Sequence, residues 1–272
     1  MGRVEKVVIM ARGLGTRMRQ TDDAATLDVA QNAAASSGVK AMIPIDRPFL
    51  DYVLSALADA DYKSVCLVIG PEHQSVRDYF SITAIPKRIS VQYAIQEKPR
   101  GTADAVTAAE QFVGDDLFLL LNSDNYYPPD ALATLGQLTG AGVALFDRDR
   151  MVAESNVPED RIQKFSVAEV SSEGYLKRIH EKPSAETLNA MPSPLLVNMN
   201  CWLFSPAIFE ACRRIELSPR GELELTDAVQ YAIDRLGEKF TALAFGDAVL
   251  DLSNRSDIAQ VADRLRALRP NP

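Results

Sequence analysis

The sequence is short of histidine, cysteine and positive charge, and each shortage excludes something. Two histidines in 272 residues, His73 and His180, rule out a His-rich metal centre. The three cysteines, Cys66, Cys201 and Cys212, are odd in number, and no pair has metal-ligand spacing. Cys66 and Cys201 sit inside apolar runs and read as small core hydrophobes. Unpaired thiols of this kind point to a reduced, cytoplasmic setting. Acidic residues outnumber basic ones, 37 to 29, for a formal net charge of −8. A dedicated nucleic-acid binder needs a basic field to displace counterions from phosphate, so no nucleic-acid partner is expected. A small anion stays open, because a local cluster of Arg, Lys and backbone N–H can bind one. No run of about 18 apolar residues is present, so no membrane-spanning helix and no membrane partner are expected. The N-terminal segment enters a strand-like run at once and shows no signal-peptide pattern.

What is present is an ordinary globular composition, 47% hydrophobic and 24% charged. A chain of 272 residues buries a sizeable core without a disulfide or zinc staple. No Gly/Ser linker divides it, so the expectation is a single domain over residues 1–272 with two functional halves, 1–150 and 151–272. In the first half, strand-like runs (4–10, 64–70, 89–95, 116–122 and 142–146) alternate with helical patterns (48–60, 102–112 and 128–138). Continuous apolar strands separated by helices imply an α/β fold. That fold is a Rossmann-like, mostly parallel mixed sheet covered by helices on both faces. The second half is less regular. A hairpin is expected around 171–174, strands at 195–204, 240–245 and 248–252, and helices at 222–236 and 255–268. It reads as an extension of the same sheet. Residues 20–38 are polar and Ala-rich. They read as an ordered lid, a disordered insertion, or a marginal helix over about 26–35.

The chemistry begins where the first strand runs into Ala11-Arg12-Gly13-Leu14-Gly15-Thr16-Arg17. Glycines after a strand let backbone N–H groups approach a phosphate with no side chain between. The dinucleotide fingerprint requires a third glycine where Met18 stands, and the Walker loop requires Gly-Lys-Ser/Thr, so neither matches. A glycine turn without ligand is the plain alternative. Arg17 and Arg19 favour the anion, since guanidinium forks suit phosphate oxygens. Two further strands end in acids, Asp124 after Leu119-Leu120-Leu121 and Asp251 after Val249-Leu250. In open α/β sheets ligands bind at the carboxyl ends of strands. Two such carboxylates suit a hard cation like Mg²⁺, although either alone reads equally well as a loop or capping residue.

These segments resemble the sugar-1-phosphate nucleotidylyltransferases. The resemblance rests on Gly13-Leu14-Gly15-Thr16-Arg17 followed by Lys40-Ala41-Met42-Ile43-Pro44, and it runs from Val4 to about Val261. It implies that Ala11, Arg12, Gly13, Gly15 and Thr16 wrap a nucleoside triphosphate, with Arg17 and Lys40 on its phosphates. Gln96 and the Gly101-Thr102-Ala103-Asp104-Ala105 segment resemble the part of the family that faces the base. Asp124 and Asp251 match the two metal-binding aspartates, with Mg²⁺ as the implied cofactor. Glu181-Lys182-Pro183, Asn198 and Arg220-Gly221-Glu222-Leu223-Glu224 match the sugar-phosphate segments. Arg12, Ser123 and Asn200 stand where the family has glycine, and the segment between Arg17 and Lys40 is longer than usual.

The implied halves are nucleotide-binding (1–150) and sugar-phosphate-binding (151–272). The implied reaction is nucleotidyl transfer from a triphosphate, UTP or dTTP, to a sugar 1-phosphate, with pyrophosphate released. Arg17, Lys182 and Asp124 are its expected catalytic residues. The rival is a non-catalytic regulatory homologue that binds a nucleotide or nucleotide sugar. A glycosyltransferase is disfavoured because Asp124-Asn125-Tyr126 lacks the Asp-x-Asp pair. The sequence leaves oligomeric state open, a homo-oligomer included.

Overall fold

The structure, a computed structural model, describes residues 2–22 and 25–272. Eleven strands form among them. They are β1 (Lys6–Met10), β2 (Ser64–Ile69), β3 (Ser90–Ile95), β4 (Phe118–Asn122), β5 (Asn125–Tyr126), β6 (Gly142–Asp147), β7 (Val167–Val170), β8 (Leu176–His180), β9 (Leu196–Phe204), β10 (Thr241–Phe245) and β11 (Leu250–Asp251). Nine of the strands make one sheet, with main path β10-β6-β9-β4-β1-β2-β3 and with β7 and β8 attached beside β9. β1 lies parallel to β2 and β4, β2 to β3, and β10 to β6. β9 runs antiparallel to both β4 and β6. The expected mostly parallel mixed sheet therefore forms.

The central strands β1, β2 and β4 are apolar over most of their length because both faces of the sheet are covered there. Val7, Val8 and Ile9 are all fully buried. Val7 and Ile9 enter one core with Phe49 and Leu54 of helix Phe49–Asp59. Val8 points the other way, into a core with Val106, Trp202 and Val229. Helices Thr102–Ala108, Ala207–Arg214 and Leu225–Leu236 line that second face. Complete burial of side chains such as Phe49 or Leu54 contributes about 2–3 kcal/mol each.

Several boundaries differ from the sequence reading. The helix expected over 102–112 stops at Ala108, and a separate turn follows at Glu110–Val113. The helix expected from 222 starts at Leu225. Residues 222–224 instead lie against the Gly101 turn, where Leu223 N–H donates to Arg100 O (2.8 Å) and Ala103 N–H to Leu223 O (2.9 Å). The strand at 248–252 shortens to β11 and pairs with β5 outside the large sheet, Asp251 opposite Asn125. Helices Arg148–Glu154, Ala185–Ala190 and Ala207–Arg214 had no counterpart in the reading.

The polar segment after the glycine loop is helical over Val29–Ser37. Asp28 opens it with a capping box: its carboxylate accepts from Gln31 N–H (2.7 Å), and Gln31 Oε1 accepts from Asp28 N–H (3.2 Å). Of the alternatives for 20–38, the helix forms, over 29–37 rather than 26–35; Asp23 and Ala24 lie outside the described residues. A helix with so little to bury needs a polar anchor, and Arg255 supplies it. The guanidinium donates to Met18 O (3.0 Å), to Ser36 Oγ (3.0 Å) and to Asn32 Oδ1.

Candidate active site

β1 ends at Met10, and the chain turns through Gly13 and Gly15 into the short helix Thr16–Arg19. Gly15 is left-handed (φ 60°), and a Cβ there would lie 2.2 Å from Gly38 O, so only glycine fits. A Cβ on Gly13 would meet nothing within 4 Å, because that side of the loop opens on a cavity. Every residue read as nucleotide-facing, from Ala11 through Arg17 to Lys40, Gln96, Gly101 and Thr102, lines this cavity of about 490 Å³. Gly101 (φ 121°) closes the far wall, where a Cβ would meet Leu223 O at 2.4 Å. Gln96 donates to Gly101 O (3.1 Å) and Asp104 Oδ2 (2.8 Å). Its amide is thereby fixed with the carbonyl oxygen as the end left without a partner among the described residues.

Arg12 is buried in the same wall. Its Nη2 donates to Glu72 Oε2 (3.4 Å) and Glu97 O (3.3 Å), while Nε and Nη1 have no partner among the described residues. An under-satisfied buried guanidinium costs stability in the absence of an anion or acceptor.

The two aspartates meet through the small β5–β11 ladder. Leu252 N–H donates to Asp124 O (2.8 Å), tying the two segments together. Lys40 Nζ pairs with Asp124 Oδ2 at 2.7 Å. Asp251 is buried, accepts from Ser253 Oγ (2.9 and 3.0 Å), and faces Arg161 Nη2 at 3.4 Å. Burial, and then the charge of Asp124, raises its carboxyl from the ordinary range to about 6, against the opposing pull of Arg161 and Ser253. Arg161 is itself gripped by both oxygens of Asp257 (3.1 Å each), and Asn156 hydrogen-bonds the Asp251 backbone at both N–H (2.9 Å) and C=O (2.7 Å). The sequence reading did not find Arg161, Asn156 or Arg255. Each acts on residues about 90 or more positions away, so no local pattern marks it. The donor set fits a hard divalent cation: two mutually repelling carboxylates share one pocket, and Mg²⁺ needs few protein oxygens when substrate phosphates and waters supply the rest.

A second cavity, of about 400 Å³, is lined by Glu181, Asn198 and Arg220 together with Asp124 and Asp251. Arg220 is exposed and pairs with Glu224 at 2.8 Å. The cavity wall raises the Glu181 carboxyl above its ordinary value, chiefly by excluding water and then through Glu224 and Asp227, while Thr226 and Arg220 pull it down. Lys182 is exposed and left-handed (φ 45°), and it lines neither cavity. The two cavities adjoin, with Asn122, Asp124, Asn200 and Ser253 in both walls.

The model of the family described as nucleotidyl transferase matches residues 6–266. The chain belongs to that family. A glucose-1-phosphate thymidylyltransferase of Streptomyces griseus is 30% identical over 261 residues, spanning 94% of this chain and 64% of that protein. A UTP–glucose-1-phosphate uridylyltransferase of Haloferax volcanii is 26% identical over 266 residues, spanning 96% of each. The chain spans 59–65% of the length of three of the curated relatives it matches. Among solved structures, a UDP-glucose pyrophosphorylase complexed with UDP-glucose superimposes with a TM-score of 0.73 at 22% identity, over 98% of this chain and all of that one. That likeness shows the α/β fold. The glycine loop, the paired aspartates and the two adjoining cavities are thus features of a nucleotidyl transferase family member.

Proposed function

We propose that this nucleotidyl transferase family member joins a nucleoside triphosphate, UTP or dTTP, to a sugar 1-phosphate, forming a nucleotide sugar and releasing pyrophosphate. The observation that carries the reading is the pair of adjoining cavities with Asp124 in their shared wall. One has the glycine loop of a phosphate site; the other has a carboxylate, an amide and a guanidinium suited to a phosphorylated sugar. The names of the thymidylyl and uridylyl relatives support the choice of base and of a sugar phosphate.

A sugar-phosphate oxygen attacks the α-phosphorus in line, and pyrophosphate leaves with the bonding pair. The nucleophile is already an anion, so no general base is required. Catalysis is then positioning and charge neutralisation. The backbone at Gly13 and Gly15, with Arg17 and Lys40, holds the triphosphate. Gln96 and Gly101 face the base. Glu181 and Asn198 take sugar hydroxyls, and Arg220 holds the sugar phosphate against like-charge repulsion, with Lys182, next in sequence to Glu181, as the second cation. Asp124 and Asp251 are the residues that would hold Mg²⁺, which supplies charge neutralisation on the phosphates when bound. The reading includes a cytoplasmic setting, in keeping with three free, buried cysteines. No helix of the described residues is long and apolar enough to cross a membrane.

The test is pyrophosphate release with Mg²⁺ across five triphosphates and several sugar 1-phosphates. Turnover confined to UTP or dTTP supports the reading. Nucleotide binding without turnover on any pair would leave the regulatory homologue in its place.

A further inference from the structure

β9 does not run smoothly past the site. Against β6, Cys201 pairs with Ala144 and Asn198 with Leu145, so Met199 and Asn200 form an extra pair of residues on β9. A bulge of this kind re-aims a side chain and is enriched beside active sites. Asn200 carries the turn in the left-handed region (φ 56°), where a non-glycine residue is uncommon and asparagine is the tolerated choice. The backbone is clamped there: Tyr127 OH donates to Met199 O (2.7 Å) and to Asn200 O (3.4 Å).

The amide of Asn200 is oriented by its neighbours. Trp202 Nε1 can only donate, so the atom facing it at 3.3 Å is the carbonyl oxygen. Asn198 Nδ2 donates to the same oxygen (3.4 Å), and Asn198 Oδ1 accepts from Asn200 N–H (3.0 Å). The other end of the amide, Nδ2, has no partner among the described residues and is not one of the buried unpartnered atoms. Asn200 lines both cavities and stands in the wall they share with Asp124. At the junction of the two cavities this chain therefore holds an oriented, unpaired N–H₂ group.

We infer that Asn200 Nδ2 donates to a phosphate oxygen at the point of transfer, making Asn200 a further catalytic residue of the proposed nucleotidyl transfer. The inference rests on that reaction, since the junction of a triphosphate cavity and a sugar-phosphate cavity is where the attacking oxygen meets the α-phosphate. Both phosphates accept hydrogen bonds, and charge redistributes between them as pyrophosphate departs. A fixed donor at that place contributes without reorganising.

The test compares Asn200→Gly and Asn200→Asp with the unsubstituted chain. Glycine keeps the left-handed bulge and removes the donor. Aspartate keeps the acceptor for Trp202 and replaces the donor with a negative charge. The expected result is a fall in kcat of roughly 10- to 100-fold for Asn200→Gly, the size of a lost hydrogen bond to a charged group. The fall is the same with every sugar 1-phosphate accepted, with Tm unchanged or raised and a larger loss for Asn200→Asp. Unchanged kcat in both variants beside an active unsubstituted enzyme would make Asn200 a bulge former only and overturn the inference alone. A loss confined to the KM of one sugar would place the amide on a sugar hydroxyl, and it too overturns the phosphate assignment. An unsubstituted chain that turns over no substrate pair and binds neither UDP-glucose nor dTDP-glucose in calorimetry would overturn the reaction, and this inference with it.

Discussion

Arg12 and Asn200 show what single residues add to a family site. They do so differently: Arg12 packs a guanidinium into the wall with Nε and Nη1 unpartnered among the described residues, while Asn200 leaves an amide open at the junction. Asp124 is the residue on which the site converges, since it lies in both cavities and binds Lys40. Asp124→Asn keeps the volume and removes the charge. The expected outcome is a loss of turnover of at least roughly 100-fold in pyrophosphate release, the scale for a lost preorganised charge contact, with an unchanged melting profile. Surviving activity would refute the metal role proposed for it. Away from the site, Asp51 makes a pH prediction. It is fully buried; its Oδ2 accepts from Tyr79 OH (2.8 Å) and pairs with Arg47 (2.6 Å), while Oδ1 has no partner among the described residues. Burial raises its carboxyl above the ordinary 3.8, and Tyr79 and Arg47 oppose this. The folded chain therefore holds this proton more tightly than the unfolded chain. Its stabilising contribution is complete below the ordinary value and is lost as pH rises through the folded value. Asp51→Asn is expected to flatten urea midpoints across that acidic window, and identical slopes in the two proteins would contradict the assignment.

At the scale of elements, helix Val29–Ser37 depends on a residue more than 200 positions away. The helix is polar and Ala-rich, and Arg255 ties it to the glycine-loop helix through Asn32, Ser36 and Met18 O. Gly38, at its end, abuts Gly15 closely enough to exclude a Cβ. Arg255→Met removes these bonds while keeping much of the volume. The expected cost is about 2–3 kcal/mol, with hydrogen exchange accelerated selectively over residues 29–37 and a raised KM for the triphosphate. Uniform exchange across the chain would show that Arg255 is not the local anchor. The elements most legible in sequence were β1, β2 and β4, because a strand buried on both faces needs an unbroken apolar run. Helix Ala207–Arg214 was missed although Ile208, Phe209, Ala211 and Cys212 give it a buried face. Pro206 and the long β9 before it mask so short a pattern.

The described residues build one large mixed sheet between two apolar layers, with the small β5–β11 ladder outside it and the site along the edge where β1 and β4 end. All three cysteines lie in those layers, and burial raises the Cys66 and Cys212 thiols to about 12. The native protein is therefore expected to react with an aromatic disulfide reagent only as fast as it unfolds, releasing three equivalents once denatured; rapid native labelling would disprove that packing. The sequence by itself determined the α/β class, the glycine loop and the two acids at strand ends. These are local matters: apolar period, a glycine where a side chain would intrude, an acid after a strand. Only the tertiary structure decided that β9 runs antiparallel through the sheet, that its bulge turns Asn200 into the junction, and that β5 and β11 bring Asp124 and Asp251 together. It also decided that Lys40 and Arg161 stand beside those acids. Each depends on which distant backbones pair and how closely they pack, and no spacing within one segment encodes that.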